Sequence, residues 1–266
     1  KENIKLYILK IFSRGYYSMK SIISHFYNEE YLLPWWLNHH KKYFDYGLMI
    51  DYNSTDRSVE IIKEICPDWQ IVKSINSEFN ATECDKEVEY YEEQIPDWKI
   101  ALNITEFLIG DFNVLDNQDN ERYYIPSFYF VDDKDSSYPN KDKPLYEQIF
   151  NGIDYHDNRD LRKLRCMHNS VMSYIPGRHF SNYDQTTDKF IIFNYGFAPM
   201  NEYLIQRKLQ IQNRIPLIDK QRNWGAEHHN WGKGLTKESL FAMMNKHRLE
   251  SKNLSSSMKK YLEFIS

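Results

Sequence analysis

An α/β fold, built on a mostly parallel sheet flanked by helices, follows from two features of this 266-residue chain. Short apolar runs at 21–26, 46–51 and 69–72 alternate with segments of helical spacing at 32–43 and 59–66. Each early strand ends in a polar turn. A strand, helix, strand, helix, strand order at this spacing implies parallel pairing, because each crossover carries a helix. Right-handed crossovers then gather the polar turns along the carboxyl edge of the sheet.

Lys1 to Ser18 mixes basic and apolar residues. Ile4, Leu6, Ile8, Leu9, Ile11 and Phe12 fall short of the ~20 residues that span a bilayer, and no small-residue cleavage site follows. The segment therefore reads as an N-terminal arm or helix. Ser21 to Phe26 is a buried strand, and Asn28-Glu29-Glu30 turns into a helix with Leu32, Leu33, Trp36, Leu37, His40 and Tyr43 on its stripe. Pro34 fits only the first turn of that helix. Tyr46 to Asp51 is the second strand. Asn53 to Asp56 offers N-cap chemistry to a helix carrying Val59, Ile62 and Cys66, which Pro67 ends. Trp69 to Val72 is the third strand.

Glu78 to Gln94 reads as an acidic helix with most of its carboxylates on a solvated face. Trp98 to Ile104 is a further strand running into Thr105-Glu106-Phe107-Leu108. The remainder is less regular. Strands are expected at 123–131, within 165–174 and at 189–193, around an insertion with Pro176-Gly177-Arg178-His179. Helices are expected at 201–215, 237–249 and 255–264, with a Trp- and His-rich loop at 225–234. Arg207 and Lys208 read as a solvated helix face.

Composition narrows the function. Lys and Arg number 34 against 38 Asp and Glu, so no global basic field recruits nucleic acid or an anionic membrane. Cys66, Cys84 and Cys166 are scattered without CxxC spacing, which argues against a disulfide scaffold or structural zinc and fits a reducing compartment. Aromatic residues make up 16% of the chain, and they either fill the core or stack on flat ligand faces. No glycine-rich dinucleotide or P-loop motif is present.

Four clusters carry a resemblance: Asn28-Glu29-Glu30; Leu33-Pro34-Trp35-Trp36-Leu37 with His39-His40; Phe44-Asp45-Tyr46-Gly47; and Asp51 through Ser58 with its Ser54-Thr55-Asp56. Together they resemble the opening of GT-A glycosyltransferases of family 2 and its relatives. Trp98 to Leu108, with Glu106-Phe107-Leu108, is similar to their D-x-D-E-F-L segment. The likeness covers residues 20–110. Beyond it, Tyr174 to His179 and Glu227-His228-His229 resemble acceptor-side and closing-loop elements.

The resemblance implies a GT-A-like, Rossmann-like fold in a single domain over 19–266, after the arm at 1–18. Residues 19–110 would bind the nucleotide sugar, and the less regular 111–266 would form the acceptor half. It implies an enzyme, a hexosyl- or deoxyhexosyltransferase, moving a sugar with inversion from a nucleotide-sugar donor to a glycan, glycolipid or glycoprotein hydroxyl. Phe26, Asn28, Glu29, Asp51 and Asn53 would hold base and ribose. Asn103, Thr105 and Glu106 stand where the family's metal and diphosphate motif stands.

There the chain departs from the pattern, because D-x-D has become Asn103-Ile104-Thr105. Mn2+ and Mg2+ favour anionic oxygen ligands, and only Glu106 keeps a charge. Two readings stand. A metal is held by Glu106 and His228 with help from Asp111 or Glu227, or the reaction is metal-independent and Arg178, His179, His228 and Arg222 take the leaving-group charge. Glu227 is the favoured catalytic base and His179 a second candidate, with Asp184, Glu87 and Glu89 as rivals.

Plainer roles stand beside these. Asn28 and Asp56 also suit helix caps, Glu29 and Glu30 suit first-turn dipole partners, and Trp35, Trp36, His39 and His40 suit packing. A sugar-nucleotide hydrolase or nucleotidyl-type enzyme and a catalytically silent sugar-nucleotide or carbohydrate-binding protein are the alternative functions. The expected location is cytoplasmic or peripheral to a membrane, without a transmembrane segment.

Overall fold

The computed structural model describes residues 18–116, 120–132, 138–155, 164–178, 186–230 and 232–265. The expected arm, Ser18 aside, lies outside them, as do His179 and Asp184. In chain order the regular elements open with β1 (Lys20–Phe26), α1 (Leu33–His40), β2 (Tyr46–Asp51), α2 (Ser58–Ile65), β3 (Gln70–Lys73), α3 (Ala81–Glu92) and β4 (Trp98–Ala101). Then follow β5 (Glu106–Gly110), β6 (Arg122–Ile125), β7 (Ser127–Val131), β8 (Asn151–Asp154), β9 (Arg165–His168) and β10 (Phe190–Phe197). The chain continues through α4 (Glu202–Ile211), α5 (Leu217–Gln221), α6 (Lys237–Glu250), β11 (Lys252–Asn253) and α7 (Ser255–Leu262).

The first sheet has the order β3-β2-β1-β4-β9-β6. Its first four strands are parallel, with Phe26 opposite Asp51 and Ile23 opposite both Leu48 and Ala101. β9 and β6 extend it antiparallel. β2 and β4 are buried at every position, as expected of strands covered on both faces. The second sheet runs β11-β8-β7-β10-β5 and is antiparallel except for the β7–β10 pair. The result is mixed α/β, with sheets flanked by helices, and every strand of the second sheet except β5 lies in the half that reads as less regular.

α1 ties the two sheets together. Pro34 sits in its first turn, as its missing N–H requires. The Trp36 indole N–H donates to the Glu106 carbonyl at 2.9 Å, and the Leu108 N–H donates to His40 Nε2 at 3.2 Å. His39 Nε2 bonds the Leu108 carbonyl at 2.8 Å. Trp35, Trp36, His39 and His40 are therefore packing residues. Burial holds the His39 imidazole down at about 4 and pushes His40 well below the usual range, so both rings are neutral. Many of the aromatic residues fill the core: Trp36, Phe107, Phe128, Phe130, Phe190, Phe193 and Tyr195 share one cluster.

Several expectations need correction. β4 ends at Ala101, and Glu106 opens β5. The strand within 165–174 is only four residues long, and the helix at 201–215 gives way after Ile211 to a 3-10 turn at Gln212–Arg214. Three carboxylates of α3 are buried: Asp85, Glu87 and Glu92. Glu87 accepts from Tyr52 Oη at 2.9 Å, Ser74 Oγ at 2.7 Å and the Ile75 N–H at 2.8 Å. Glu92 accepts from Tyr174 Oη at 2.6 Å. Arg207 and Lys208 are buried as well, because α4 turns that face inward.

Candidate functional site

β1, β2 and β3 step to one side of the first sheet, and β4 returns to the other side of β1. The strand order therefore reverses between β1 and β4. Crossovers leave in opposite directions at such a point, and a crevice opens at the carboxyl ends. A cavity of about 600 Å³ lies there. Phe26, Tyr27 and Glu29 line it from the end of β1, and Asn103 to Glu106 line it from the β4–β5 turn. Asp85, Arg165, Arg178, Arg207 and Lys208 add charge, and Tyr129, Tyr155, Glu227, His228 and His247 form a further part of the wall.

The β4–β5 turn is braced by ion pairs. Arg165 Nε donates to both oxygens of Glu106, at 3.1 and 3.0 Å, and its Nη2 donates to Oε1 at 2.8 Å. Arg165 Nη1 donates to the carbonyls of Gly177 and Arg178 at 2.7 and 2.8 Å. Glu106 Oε2 also accepts the Asn103 N–H at 2.8 Å. Arg178 has φ +55 and donates from Nη1 to Asp85 Oδ1 at 3.1 Å and from Nη2 to Asn103 Oδ1 at 2.9 Å. His25 Nε2 lies 3.4 Å from that Nη2. Burial, then the Arg178 and Arg165 charges, hold His25 well below the usual imidazole range, so its ring is a neutral acceptor.

Glu29 pairs with Arg207, and its N–H donates to Ser58 Oγ at 2.8 Å. Burial raises the carboxyl pKa of both Glu29 and Asp85, and their arginine partners oppose that rise. The guanidinium of Arg214 lies over the Tyr27 ring, 4.3 Å from its centroid, and reaches Phe79 at 5.0 Å. That fixes an aromatic edge to the cavity.

Glu227 sits on a 3-10 turn, Ala226–His228, entered through Gly225 at φ +65. Its charge acts on Tyr129, Tyr155 and His247. Burial, followed by Glu227, pushes Tyr155 up to about 12 and raises Tyr129 well above the usual phenol range. Burial lowers His247 and Glu227 opposes that. His229 serves the loop itself, accepting the Gly232 N–H at 2.8 Å and bonding the Trp224 carbonyl at 3.1 Å.

Of the sequence candidates, Phe26, Glu29, Asn103, Thr105, Glu106, Arg178, Glu227 and His228 meet at the cavity. Asn28, Asp51 and Asn53 are not in its wall. Asp51 Oδ1 accepts the Ser54 N–H at 2.8 Å and shapes the turn after β2. Asn28, at φ +50, accepts the Thr55 N–H at 2.7 Å and donates to Gln210 Oε1 at 3.0 Å. Asn53 is exposed at φ +61, a conformation Asn tolerates. Asp56 is not the N-cap of α2, which is Arg57; its Oδ1 accepts the Ser58 N–H at 2.9 Å from one residue further out. His179 lies outside the described residues.

Sequence reasoning missed Arg165, Asp85, Arg207, Lys208 and His247 as cavity residues. A signal existed for Arg165: a charge inside the apolar run Leu164-Arg165-Cys166-Met167 needs a buried partner.

The donors of the β4–β5 turn do not fit Mn2+ or Mg2+. Both Glu106 oxygens are committed to Arg165, and Asn103 Oδ1 accepts from Arg178. A divalent ion would have to displace these guanidinium contacts to reach the same oxygens. Among the described residues no group of three or more His, Cys, Asp or Glu is placed to hold a metal ion. Among them, too, no helix is long and apolar enough to cross a membrane.

Compared with models of known families and with curated proteins, the chain matches none. Among solved structures it is similar to residues 1–349 of S. aureus TarS in complex with UDP, at 14% identity and a TM-score of 0.32, over 46% of this chain and 38% of that one. It is also similar to glucosyl-3-phosphoglycerate synthase from Mycobacterium tuberculosis in complex with Mn2+, UDP and glucosyl-3-phosphoglycerate. Identity there is 14% and the TM-score 0.31, over 42% of this chain and 44% of that one. The match thus spans less than half the length of either protein.

Proposed function

We propose that the chain is a GT-A-like glycosyltransferase that moves a sugar from a nucleotide-sugar donor to a hydroxyl of a glycan, glycolipid or glycoprotein. One observation carries the reading: the cavity opens where the strand order reverses, and two of the three turns that resemble the family's donor-binding motifs, those after β1 and β4, line it. Crevices at such points are where open α/β sheets bind nucleotides. Residues 19–110 supply the donor side and 111–266 the acceptor side.

In this reading the base and ribose lie against Phe26, Tyr27 and Glu29, with Asp51 and Asn53 shaping the neighbouring turn and Asn28 pinning it. The diphosphate lies against Asn103, Thr105 and Arg178, with His228 closing over it. Glu106 acts through Arg165 by holding the β4–β5 turn. Glu227 takes the proton of the acceptor hydroxyl as that oxygen attacks the anomeric carbon. The bond from that carbon to the diphosphate oxygen breaks, and its electron pair leaves with the nucleoside diphosphate. Attack opposite the leaving group inverts the anomeric centre.

A thermal-shift panel of nucleoside diphosphates and nucleotide sugars tests the donor assignment, since a ligand that binds only the folded state raises the melting temperature. Chromatography of donor with glycan acceptors then tests transfer. Stabilisation by at least one nucleotide sugar and release of its nucleoside diphosphate with an acceptor are expected. Binding with neither transfer nor donor hydrolysis would favour the silent-binder alternative, which the engagement of both Glu106 oxygens also suits.

A further inference from the structure

The β4–β5 turn holds guanidinium groups at the place where the glycosyltransferase resemblance implies a metal ion. Arg165 is committed at all three nitrogens, to Glu106 and to the carbonyls of Gly177 and Arg178. Arg178 is not. Its Nη1 is held by Asp85 and its Nη2 by Asn103, while its Nε–H is buried and has no acceptor. A buried donor without an acceptor is costly, and few survive without a reason. The side chain is nearly inaccessible to solvent, yet it borders the cavity.

The backbone around Arg178 is set for this. The residue takes a left-handed φ of +55, and its N–H and that of Gly177 both face Asp85 Oδ2. Arg165 fixes the carbonyls of the same two residues. The turn is thus gripped from both sides and presents one guanidinium at a fixed position beside Asn103. Arginine's planar fork suits phosphate oxygens, and its charge is permanent.

Resting on the nucleotide-sugar reading above, we propose that this site binds the donor's diphosphate without a divalent cation, Arg178 supplying the positive contact and Arg165 with Glu106 positioning it. Asp85 and Asn103 keep the guanidinium in place between turnovers.

The test is calorimetric titration of the full chain with UDP, GDP, dTDP and inorganic pyrophosphate, in excess EDTA and again with Mn2+. At least one nucleoside diphosphate is expected to bind with the same dissociation constant, within about twofold, in both buffers. Arg178→Gln is expected to weaken that binding about tenfold or more, through loss of a charge-assisted contact, with Arg178→Lys falling between. Should Arg178→Gln fail to fold, Arg178→Lys, which keeps the charge and loses the planar fork, reads the same contact and is expected to weaken binding by a smaller factor. Binding that requires Mn2+ would overturn the proposal and leave the donor reading standing. Binding in EDTA that neither variant weakens would overturn the role of Arg178. Absence of binding by every nucleotide in both buffers would overturn the donor reading and this proposal with it.

Discussion

Arg165 and Glu106 join the two sheets through a buried bidentate ion pair. Arg165 lies on β9 of the first sheet, and Glu106 opens β5 of the second. Both side chains are nearly inaccessible to solvent. Desolvating two charges is expensive, and the attraction offsets it only when geometry and hydrogen bonds are complete. Here every nitrogen of the guanidinium has an acceptor, Nη1 reaching the carbonyls of Gly177 and Arg178.

Removing one partner should therefore unmask the other. Glu106→Ala is expected to destabilise the chain by about 3–5 kcal/mol, because it strands a buried guanidinium. The double variant Glu106→Leu with Arg165→Met should recover much of that loss while leaving Arg178 poorly placed. Urea unfolding of the three proteins measures both effects. A loss below about 1 kcal/mol for Glu106→Ala, the range of an exposed pair, would show that the pair is not buried in solution.

Gly47 on β2 is a packing requirement. A Cβ built there would lie 2.1 Å from Trp69 Cδ2, inside the indole ring. Gly47→Ala is expected to cost about 1–3 kcal/mol by overpacking. Trp69→Leu in the same chain should relieve part of it, so the two changes would be non-additive in thermal or urea unfolding. Additive losses would mean that the ring and the glycine do not meet.

Acid should weaken the fold through α1. His39 is neutral in the folded chain with its pKa held at about 4, against an unfolded value of 6.5, and His40 is shifted the same way. The unfolded chain thus binds more protons between those values, and stability rises with pH across the window. It is fully present above about 6.5 and lost as pH falls toward 4. His39 alone accounts for about 2 kcal/mol of loss between pH 7.5 and 5. Urea midpoints at the two pH values measure it. His39→Gln should flatten the dependence by that amount even if it lowers stability at neutral pH.

These cases separate what local sequence encodes from what it does not. β1, β2 and β3 were legible because each is a short apolar run that a turn-forming stretch follows, and Pro34 marked the start of α1. Right-handed crossovers alone put the polar turns along one carboxyl edge, but the strand order that sets β4 beside β1 and opens the crevice between them was not legible. Nor was the charged wall. Arg165 meets Glu106 across 59 residues, and Arg207 meets Glu29 across 178. Nothing in the local pattern of α4 separates a buried arginine from a solvated one. The same holds for Asp85 and Glu92, whose burial depends on partners contributed by residues 174–178. Burial of a charge is decided by a partner from another element.

Glu227 offers the last test, with two readouts that fail separately. In the proposed reaction it accepts the acceptor's proton, and its charge acts on His247 across the same wall of the cavity. Glu227→Gln keeps the size and removes both functions. Turnover is expected to fall about a hundredfold or more, the usual contribution of a positioned base, while the dissociation constant for the nucleoside diphosphate stays within about twofold. The His247 imidazole should titrate at lower pH in the variant, because burial lowers it and Glu227 no longer opposes that. NMR of the His247 ring reads this without reference to activity. A shifted His247 with normal turnover would keep Glu227 in the cavity wall and remove it as the base, whereas an unmoved His247 would show that the carboxylate does not face that ring.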